Sequence, residues 1–148
     1  MKKIISAILI LFILSTSAVI IYRKLAASNG KLELEDKDRI VYYFHGTKRC
    51  YTCNLIENQT VKALNDGFKK EMTDGTIKFR SINLDKPENE HFVKDFQLKG
   101  RVIVMAYLKN SKPVYKRIDD VFTRVRQGDK FLEYIKAQVA VFLLKRKK

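Results

Sequence analysis

The most restrictive feature of the sequence is a pair of cysteines, Cys50 and Cys53, that directly follows an apolar run. They are the only 2 cysteines in the chain. A disulfide that stabilises a fold usually closes a long loop, whereas a CxxC pair closes almost none. The spacing therefore indicates a chemical role for the pair, in redox exchange or in metal binding.

The residues around the pair predict a strand that leads into a helix. Ile40 to Phe44 is a short apolar run, typical of a central strand covered on both faces. His45-Gly46-Thr47 ends this run, and we predict that Cys50 lies at a helix start. An apolar position then recurs every four residues up to Asp74-Gly75, which predicts a helix with one apolar stripe. The stripe consists of Ile56, Thr60, Leu64, Phe68 and Met72.

The remainder of the chain continues the alternation of strands and helices. Alternating or apolar runs predict strands, and longer periodic patterns predict helices. The predicted elements are strands at Ile77 to Leu84, Val102 to Leu108 and Val114 to Ile118, a hairpin connection from Asn110 to Pro113, a short helix after Pro87 that carries Phe92 and Phe96, and a helix from Asp129 to Leu144. The order β-α-β-α-β-β-α, with CxxC after the first strand, predicts an α/β thioredoxin-like fold with a central mixed sheet flanked by helices.

The N-terminus carries a long apolar segment. Ile4 to Tyr22 contains no charged residue and follows Lys2 and Lys3. A helix of this length spans about 28 Å, close to the ~30 Å hydrocarbon core of a bilayer. We therefore predict one transmembrane helix, as an anchor or uncleaved signal. A signal peptide that is cleaved near Ser15 to Ala18 is the alternative.

Such an anchor divides the chain into three predicted parts. Residues 1–25 hold the anchor, residues 26–38 form a polar linker, and residues 39–148 form the thioredoxin-like domain. A short N-terminal tail before a long soluble domain is the usual layout of an exported protein whose N-terminus stays inside. We therefore predict that the domain is extracytoplasmic, in the periplasm or at the cell surface.

The formal net charge of +14 favours anionic partners but does not determine a fold. The lysines and arginines are spread along the whole chain, and neither zinc-finger spacing nor an RNP-type aromatic string accompanies them. We therefore predict no nucleic-acid partner. Solvated lysine-rich faces on an exported domain account for the charge.

The surroundings of Cys50 favour its thiolate form, which is the form that attacks disulfides. A helix N-terminus offers free backbone N–H groups and a positive dipole end. Lys48 and Arg49 precede Cys50 and add positive potential. We therefore predict that Cys50 attacks and that Cys53, one helical turn further on, resolves the mixed disulfide.

Two other uses of the cysteines remain open. His45, Cys50 and Cys53 offer three ligands for a metal-binding or metal-delivery protein. His91, the only other histidine, lies on the predicted helix after Pro87 and is not a convincing fourth ligand. Alternatively, the disulfide only staples the helix start in a non-catalytic interaction module.

The string from Val41 to Cys53, VYYFHGTKRCYTC, resembles the small thioredoxin-like family of nitrophenyl-compound nitroreductase subunits (ArsF type). Lys78 to Asp85, KFRSINLD, is similar to the third strand of thioredoxins. The resemblance covers Ile40 to the end of the chain. It implies a thioredoxin fold and a redox role. No flavin-binding signature is visible in the sequence.

Two positions depart from ordinary thioredoxins. The resemblance places Val102 where thioredoxins have a cis-proline in the substrate groove, and a cis bond before a non-proline residue costs about 2.5–4 kcal/mol, so we predict a trans Arg101–Val102 bond. Tyr42-Tyr43-Phe44 contains no counterpart of the buried acid of thioredoxins. His45 is the candidate base in its place, since a free imidazole titrates near pH 6.5.

Together these observations predict a membrane-anchored thiol–disulfide oxidoreductase or electron relay with a Cys-Tyr-Thr-Cys motif. No cofactor other than the redox-active disulfide is expected. The predicted partner is a membrane or exported redox protein, because an anchor raises the effective concentration of the domain at the bilayer.

Overall fold

The computed structural model describes residues 39–144. The predicted anchor and linker, in residues 1–38, and the basic end of the chain, in residues 145–148, lie outside this part. Within residues 39–144, no helix combines the length and the apolar character needed to cross a membrane.

Four strands form one mixed sheet in the order β2-β1-β3-β4. The central strand β1 pairs in parallel with β2 and antiparallel with β3, and β3 pairs antiparallel with β4. The strands are β1 (Arg39–His45), β2 (Ile77–Asn83), β3 (Val102–Lys109) and β4 (Lys112–Ile118). The prediction that Ile40 to Phe44 lies in the middle of the sheet is confirmed, and the mixed sheet with flanking helices matches a thioredoxin-like fold.

Helices cover both faces of this sheet. Val41 and Tyr43 point to one face and pack in the main core with helices α1 and α5. Tyr42 and Phe44 point to the other face, because successive side chains of a strand alternate. The helices are α1 (Tyr51–Gly67), α2 (Lys69–Thr73), α3 (His91–Asp95), α4 (Val121–Arg124) and α5 (Asp129–Leu144), with 3₁₀ turns at Pro87–Asn89 and Val125–Gln127.

A cluster of aromatic rings fills the second face. Tyr42 and Phe44 stack with ring centroids 5.4 Å apart. Phe92, in α3, lies 5.3 Å from Phe44, and Phe96 lies 5.7 Å from Tyr42. The short helix that was predicted after Pro87 is therefore present, and it delivers both phenylalanines to the sheet.

The prediction of one continuous helix up to Asp74 is wrong in one respect. The chain breaks its helix at Phe68, which has φ −141° and ψ 38° and separates α1 from α2. Asn65, Asp66 and Gly67 are all weak helix formers, and they stand directly before the break. Phe68 still packs against the core, so the apolar stripe is kept although the helix is not continuous.

The hairpin between β3 and β4 is tighter than predicted. Lys109 pairs with Lys112, which leaves a turn of Asn110 and Ser111. Both turn residues have positive φ values, 53° and 59°, as a type I′ turn requires. β4 therefore begins at Lys112 instead of Val114, and it accommodates Pro113 because it is an edge strand.

One segment between β4 and α5 was not predicted. Helix α4 and the following 3₁₀ turn place Val121 and Val125 in the core, both fully buried. The segment is too short for an apolar period to show in the sequence.

Candidate active site at the start of helix α1

The candidate site lies at one edge of the sheet, where four chain segments meet. β1 and β2 run in parallel and end side by side at His45 and Asn83. β3 runs the other way, so that it begins at this edge with Val102 opposite Phe44. Ile118, the last residue of β4, pairs with Ile103 at the same edge. Four loops therefore converge here: the loop that leads to Cys50, and the loops at residues 84–86, 96–101 and 119–120.

Cys50 is the N-cap residue of α1, as the sequence predicts. Its Sγ accepts a hydrogen bond from the backbone N–H of Cys53 at 3.2 Å, and its carbonyl accepts one from Asn54 at 3.1 Å. Cys50 and Cys53 form a disulfide, with Cα atoms 5.1 Å apart. Cys50 is exposed and Cys53 is fully buried. Only one sulfur of the pair is therefore open to attack from solution.

His45 is buried at the end of β1, and both of its ring nitrogens have partners. Nδ1 lies 2.9 Å from the carbonyl oxygen of Gly46, and Nε2 lies 3.3 Å from Nη1 of Arg49. A carbonyl only accepts and a guanidinium only donates, so Nδ1 carries the proton in the neutral ring that fits these contacts. His45 thus links the end of β1 to the residue before Cys50.

Arg49 turns towards the body of the domain. Its guanidinium forms an ion pair with Glu57 of α1 and lies over the ring of Tyr43, 5.9 Å from the centroid. Lys48, by contrast, is exposed and forms no ion pair within residues 39–144. Of the two cations predicted to stabilise the thiolate, only Lys48 is therefore uncompensated.

Glu57 is a site residue that the sequence reasoning missed. Burial alone would raise the pKa of its carboxyl, but hydrogen bonds with Arg49 and Ser81 and the charge of Arg49 outweigh burial and lower the pKa. The signal available in the sequence was its spacing from Cys53, four residues along the same helix, which places both on one helix face. An acid is thus present beside the motif, but it comes from the helix and not from the preceding strand.

Tyr43 carries a polar atom without a partner. Its hydroxyl is buried and has no hydrogen-bond partner among residues 39–144. Burial raises the pKa of this phenol, the nearby Arg49 and Arg101 lower it, Glu57 raises it, and the net shift is upward. The position next to the ion pair makes Tyr43 part of the floor of the site.

The loop before Cys50 is held by the ends of β2 and β3. The backbone N–H of Thr47 donates to Oδ2 of Asp85 at 2.7 Å, and Nδ2 of Asn83 donates to the Thr47 hydroxyl at 3.1 Å. The hydrogen bonds that Asp85 accepts from Thr47 lower the pKa of the Asp85 carboxyl. Nη2 of Arg101 donates to the carbonyl of Lys48 at 3.3 Å. Asp85 and Arg101 are therefore structural partners of the cysteine loop, which neither residue type nor spacing revealed in the sequence.

Val102, at the position matched to the cis-proline, is buried at the start of β3. No peptide bond within residues 39–144 is cis, so the Arg101–Val102 bond is trans. The backbone at this position is therefore part of a regular strand edge next to the cysteine loop.

The residues of the metal-site alternative are not grouped into a ligand cluster. Within residues 39–144, no three side chains of His, Cys, Asp or Glu lie close enough together to hold a metal ion. His91 is on α3, where Nδ1 lies 2.9 Å from Oδ2 of Asp95. Its place in the fold is separate from the loop that carries the cysteines.

No family model matches the chain, and no curated protein matches it either. Membership in the nitrophenyl-compound nitroreductase subunit family therefore remains a prediction.

Several solved structures are similar to the chain. A thioredoxin from Thermus thermophilus is 16% identical, covers 61% of this chain and 72% of its own, and has a TM-score of 0.39. Chloroplastic thioredoxin z is 18% identical, with coverage of 62% and 81% and a TM-score of 0.39. A structure described as that of a malarial protein is 26% identical, with coverage of 55% and 80% and a TM-score of 0.38.

These TM-scores are too low to support an argument about function. The fold assignment rests instead on the strand order, the strand directions and the helix that begins at Cys50. By these criteria the chain has a thioredoxin-like fold with the Cys50–Cys53 disulfide at the N-terminus of its first helix.

Proposed function

We propose that this protein is a membrane-anchored, extracytoplasmic thiol–disulfide oxidoreductase or electron relay. One observation supports the redox part most directly: the exposed Cys50 caps a helix and is bonded to the fully buried Cys53. Sulfurs in these two environments are suited to different steps of one exchange reaction. The anchor part rests on the apolar segment Ile4 to Tyr22.

In the reduced protein, the Cys50 thiolate is the nucleophile. The backbone N–H of Cys53 already points at its sulfur, and the other free N–H groups of the first turn of α1 add to the positive potential. Lys48 adds its charge from two residues away. The charge of Arg49 also contributes, reduced by its ion pair with Glu57.

The reaction is a pair of displacements. The Cys50 thiolate attacks one sulfur of a client disulfide, a Cys50–client disulfide forms, and the other client sulfur leaves as a thiolate that takes up a proton. The Cys53 thiolate then attacks Cys50, closes the internal disulfide and releases the second client sulfur. Two electrons pass from the protein to the client, and the reverse sequence oxidises a client dithiol.

His45 is the proposed proton carrier beside this reaction. Its Nε2 is the unprotonated nitrogen of the neutral ring, and it faces Arg49. When Nε2 takes up a proton, it can no longer accept from Arg49, so proton uptake and the position of Arg49 are linked. Val102 forms the neighbouring wall of the groove, in place of the proline of thioredoxins.

The proposed partner is a membrane or exported redox protein that exchanges electrons with the Cys50–Cys53 disulfide. The disulfide is the only redox group that the proposal requires. The resemblance to nitroreductase subunits covers Ile40 to the end of the chain and is sharpest in the cysteine string from Val41 to Cys53. The chemistry proposed for that string is thiol–disulfide exchange.

Trapping experiments on the full-length chain in a non-ionic detergent test the redox proposal. With Cys53→Ser, the mixed disulfide between Cys50 and a client cannot be resolved, so it should accumulate. With Cys50→Ser, no such adduct should form, because Cys53 is buried. Equal trapping by both variants, or by neither, would contradict the proposal.

Alkylation and fractionation address the other parts. The rate at which Cys50 reacts with iodoacetamide should rise with pH around a pKa well below the ~8.5 of a free thiol, and Cys53 should react more slowly. Joint protection of both thiols by zinc, lost in His45→Ala, would instead support the metal-binding alternative. The full chain should resist carbonate extraction from membranes, whereas a soluble form that starts near Val19 would show cleavage.

A further inference from the structure

Two open cavities flank the cysteine loop, and both are lined by Gly100 and Arg101. One, of about 440 Å³, lies between the loop of His45 to Lys48 and the end of β2. The other, of about 660 Å³, lies between the start of β3 and the end of β4, where Lys99, Arg117 and Phe122 line it. Arg101 therefore lies between the two cavities, next to the cysteine loop.

The positively charged side chains around these cavities differ in whether they form an ion pair. Arg117 donates to the carbonyls of Phe96 and Gln97 and pairs with Asp119 at 3.4 Å, so its charge is used within the domain. Lys48, Lys99 and Arg101 are all exposed and form no ion pair within residues 39–144.

Two carboxylates lie close to these cations. Asp119 lines the larger cavity and is paired with Arg117. Asp85 is affected by the charge of Arg101 and offsets only one of the three remaining positive charges. Lys48, Lys99 and Arg101, here called the cationic ridge, therefore present a surplus of positive charge.

The cationic ridge lies within reach of the reacting sulfur. Lys48 is two residues from Cys50, so their Cα atoms are at most about 7 Å apart. The guanidinium of Arg101 in turn contacts the carbonyl of Lys48 at 3.3 Å. A client cysteine bonded to Cys50 in the mixed disulfide brings its neighbouring residues within reach of this surface.

We propose that the cationic ridge selects clients with acidic residues beside the reactive cysteine, and that Arg101 is its principal specificity determinant. This inference rests on the proposed function. Arg101 is suited to the role because a guanidinium binds a carboxylate through two parallel hydrogen bonds. Val102 and the half-buried Phe122 supply an apolar wall next to the charges.

The test uses two matched peptides and the reduced full-length chain in a non-ionic detergent. Each peptide has one cysteine activated as a 2-thiopyridyl disulfide, flanked by Asp and Glu in one peptide and by Asn and Gln in the other. Release of pyridine-2-thione reports attack by Cys50. The acidic peptide should react about three- to ten-fold faster at low salt, and this advantage should vanish at about 0.5 M salt because the charges are exposed.

Single substitutions test which residues cause the preference for the acidic peptide. Arg101→Gln should bring the ratio of the acidic-peptide rate to the amide-peptide rate close to one, and Lys99→Gln should lower this ratio partially. Lys109→Gln is the matched control, since Lys109 is equally exposed but lies at the opposite end of β3. Equal losses in Arg101→Gln and Lys109→Gln would show that only the net charge matters, and this would overturn the inference.

Failure of the inference and failure of the proposed function give different results. Equal rates with the two peptides would refute the cationic ridge while leaving the oxidoreductase proposal intact. No reaction with either peptide, together with no reaction with neutral hydroxyethyl disulfide, would refute both.

Discussion

Arg49 and Glu57 form an ion pair that ties the residue before Cys50 to the second turn of α1. Arg49 also contacts Nε2 of His45, so one guanidinium joins the end of β1, the cysteine loop and the helix. The carboxylate of Glu57 therefore offsets part of the positive potential at the start of the helix. The reactivity of Cys50 is therefore expected to depend on Glu57, which lies two turns into the helix that Cys50 caps.

The first prediction concerns this offset. Glu57→Gln leaves the charge of Arg49 unpaired, so the pKa of the Cys50 thiol should fall and its alkylation near pH 7 should become about two- to five-fold faster. Arg49→Gln should have the opposite effect. The measurement is the rate of iodoacetamide labelling of Cys50 across a pH series in the reduced full-length chain.

Glu133→Gln is the control for that experiment, because Glu133 forms a comparable ion pair with Lys136 on α5. It should leave the labelling rate of Cys50 unchanged. Identical rates in Glu57→Gln and in the parent chain would mean that the Glu57 carboxylate does not offset the positive potential at Cys50.

Acid should remove the stabilisation that Glu57 provides. The pKa of its carboxyl in the folded chain is lowered from the ordinary value of 4.5. Burial raises this pKa, but the hydrogen bonds to Arg49 and Ser81 and the charge of Arg49 lower it by more. A lowered folded pKa means that the stabilisation is complete above the unfolded pKa and is lost as the pH falls through the folded pKa. The free energy of unfolding of the parent chain should therefore exceed that of Glu57→Gln by about 1 kcal/mol at pH 7.

This difference should shrink as the pH falls below about 4.5. Urea unfolding of both chains at several pH values measures it. A difference that stays constant down to the lowest pH would show that the ionised carboxylate is not what stabilises the fold.

Tyr43→Phe should not destabilise the domain. The hydroxyl of Tyr43 is buried without a partner among the residues that the structure describes, so its removal relieves a desolvation cost. We expect a neutral to stabilising effect, up to about 1 kcal/mol. Tyr134→Phe is the matched control, since that hydroxyl donates to Asp120 at 2.8 Å and its loss should cost about 1 kcal/mol. If Tyr43→Phe is as destabilising as Tyr134→Phe, the buried hydroxyl has a partner.

The aromatic cluster on the second face should contribute strongly to stability. Phe96 is fully buried against Tyr42, Phe44 and Phe92, so Phe96→Ala should lower the free energy of unfolding by about 3–5 kcal/mol. Val93 lies in the same helical segment but is 38% exposed, and Val93→Ala should change stability by less than about 0.5 kcal/mol. Urea unfolding compares the two. A similar small effect of both would show that this face is loosely packed.

The sheet and the position of Cys50 were predictable because their signals are local. The run from Ile40 to Phe44 is apolar throughout, which is what a strand covered on both faces requires. The helix from Asp129 to Leu144 has the predicted bounds because its apolar residues repeat over several turns. The break at Phe68 was missed because the apolar period continues across it.

The partners of the cysteine loop were not predictable in the same way. Asp85 and Arg101 reach the loop from two different segments, and each is an ordinary exposed-type residue in its own segment. Only the strand register and the crossing of the loops bring them together. Lys48 and Arg49 were both predicted to stabilise the thiolate. In the structure Arg49 forms an ion pair with Glu57, whereas Lys48 forms none within residues 39–144.

The burial of Cys53 has a consequence for kinetic order. Only Cys50 of the pair is open to solution. In the proposed reaction, one protein molecule therefore holds one client at a time, and the bound client leaves by an intramolecular step. The lifetime of the covalent complex is then a first-order property of the domain, set by how readily the start of α1 lets Cys53 approach Cys50. Raising the concentration of the client shortens the wait between encounters but leaves the duration of each encounter unchanged.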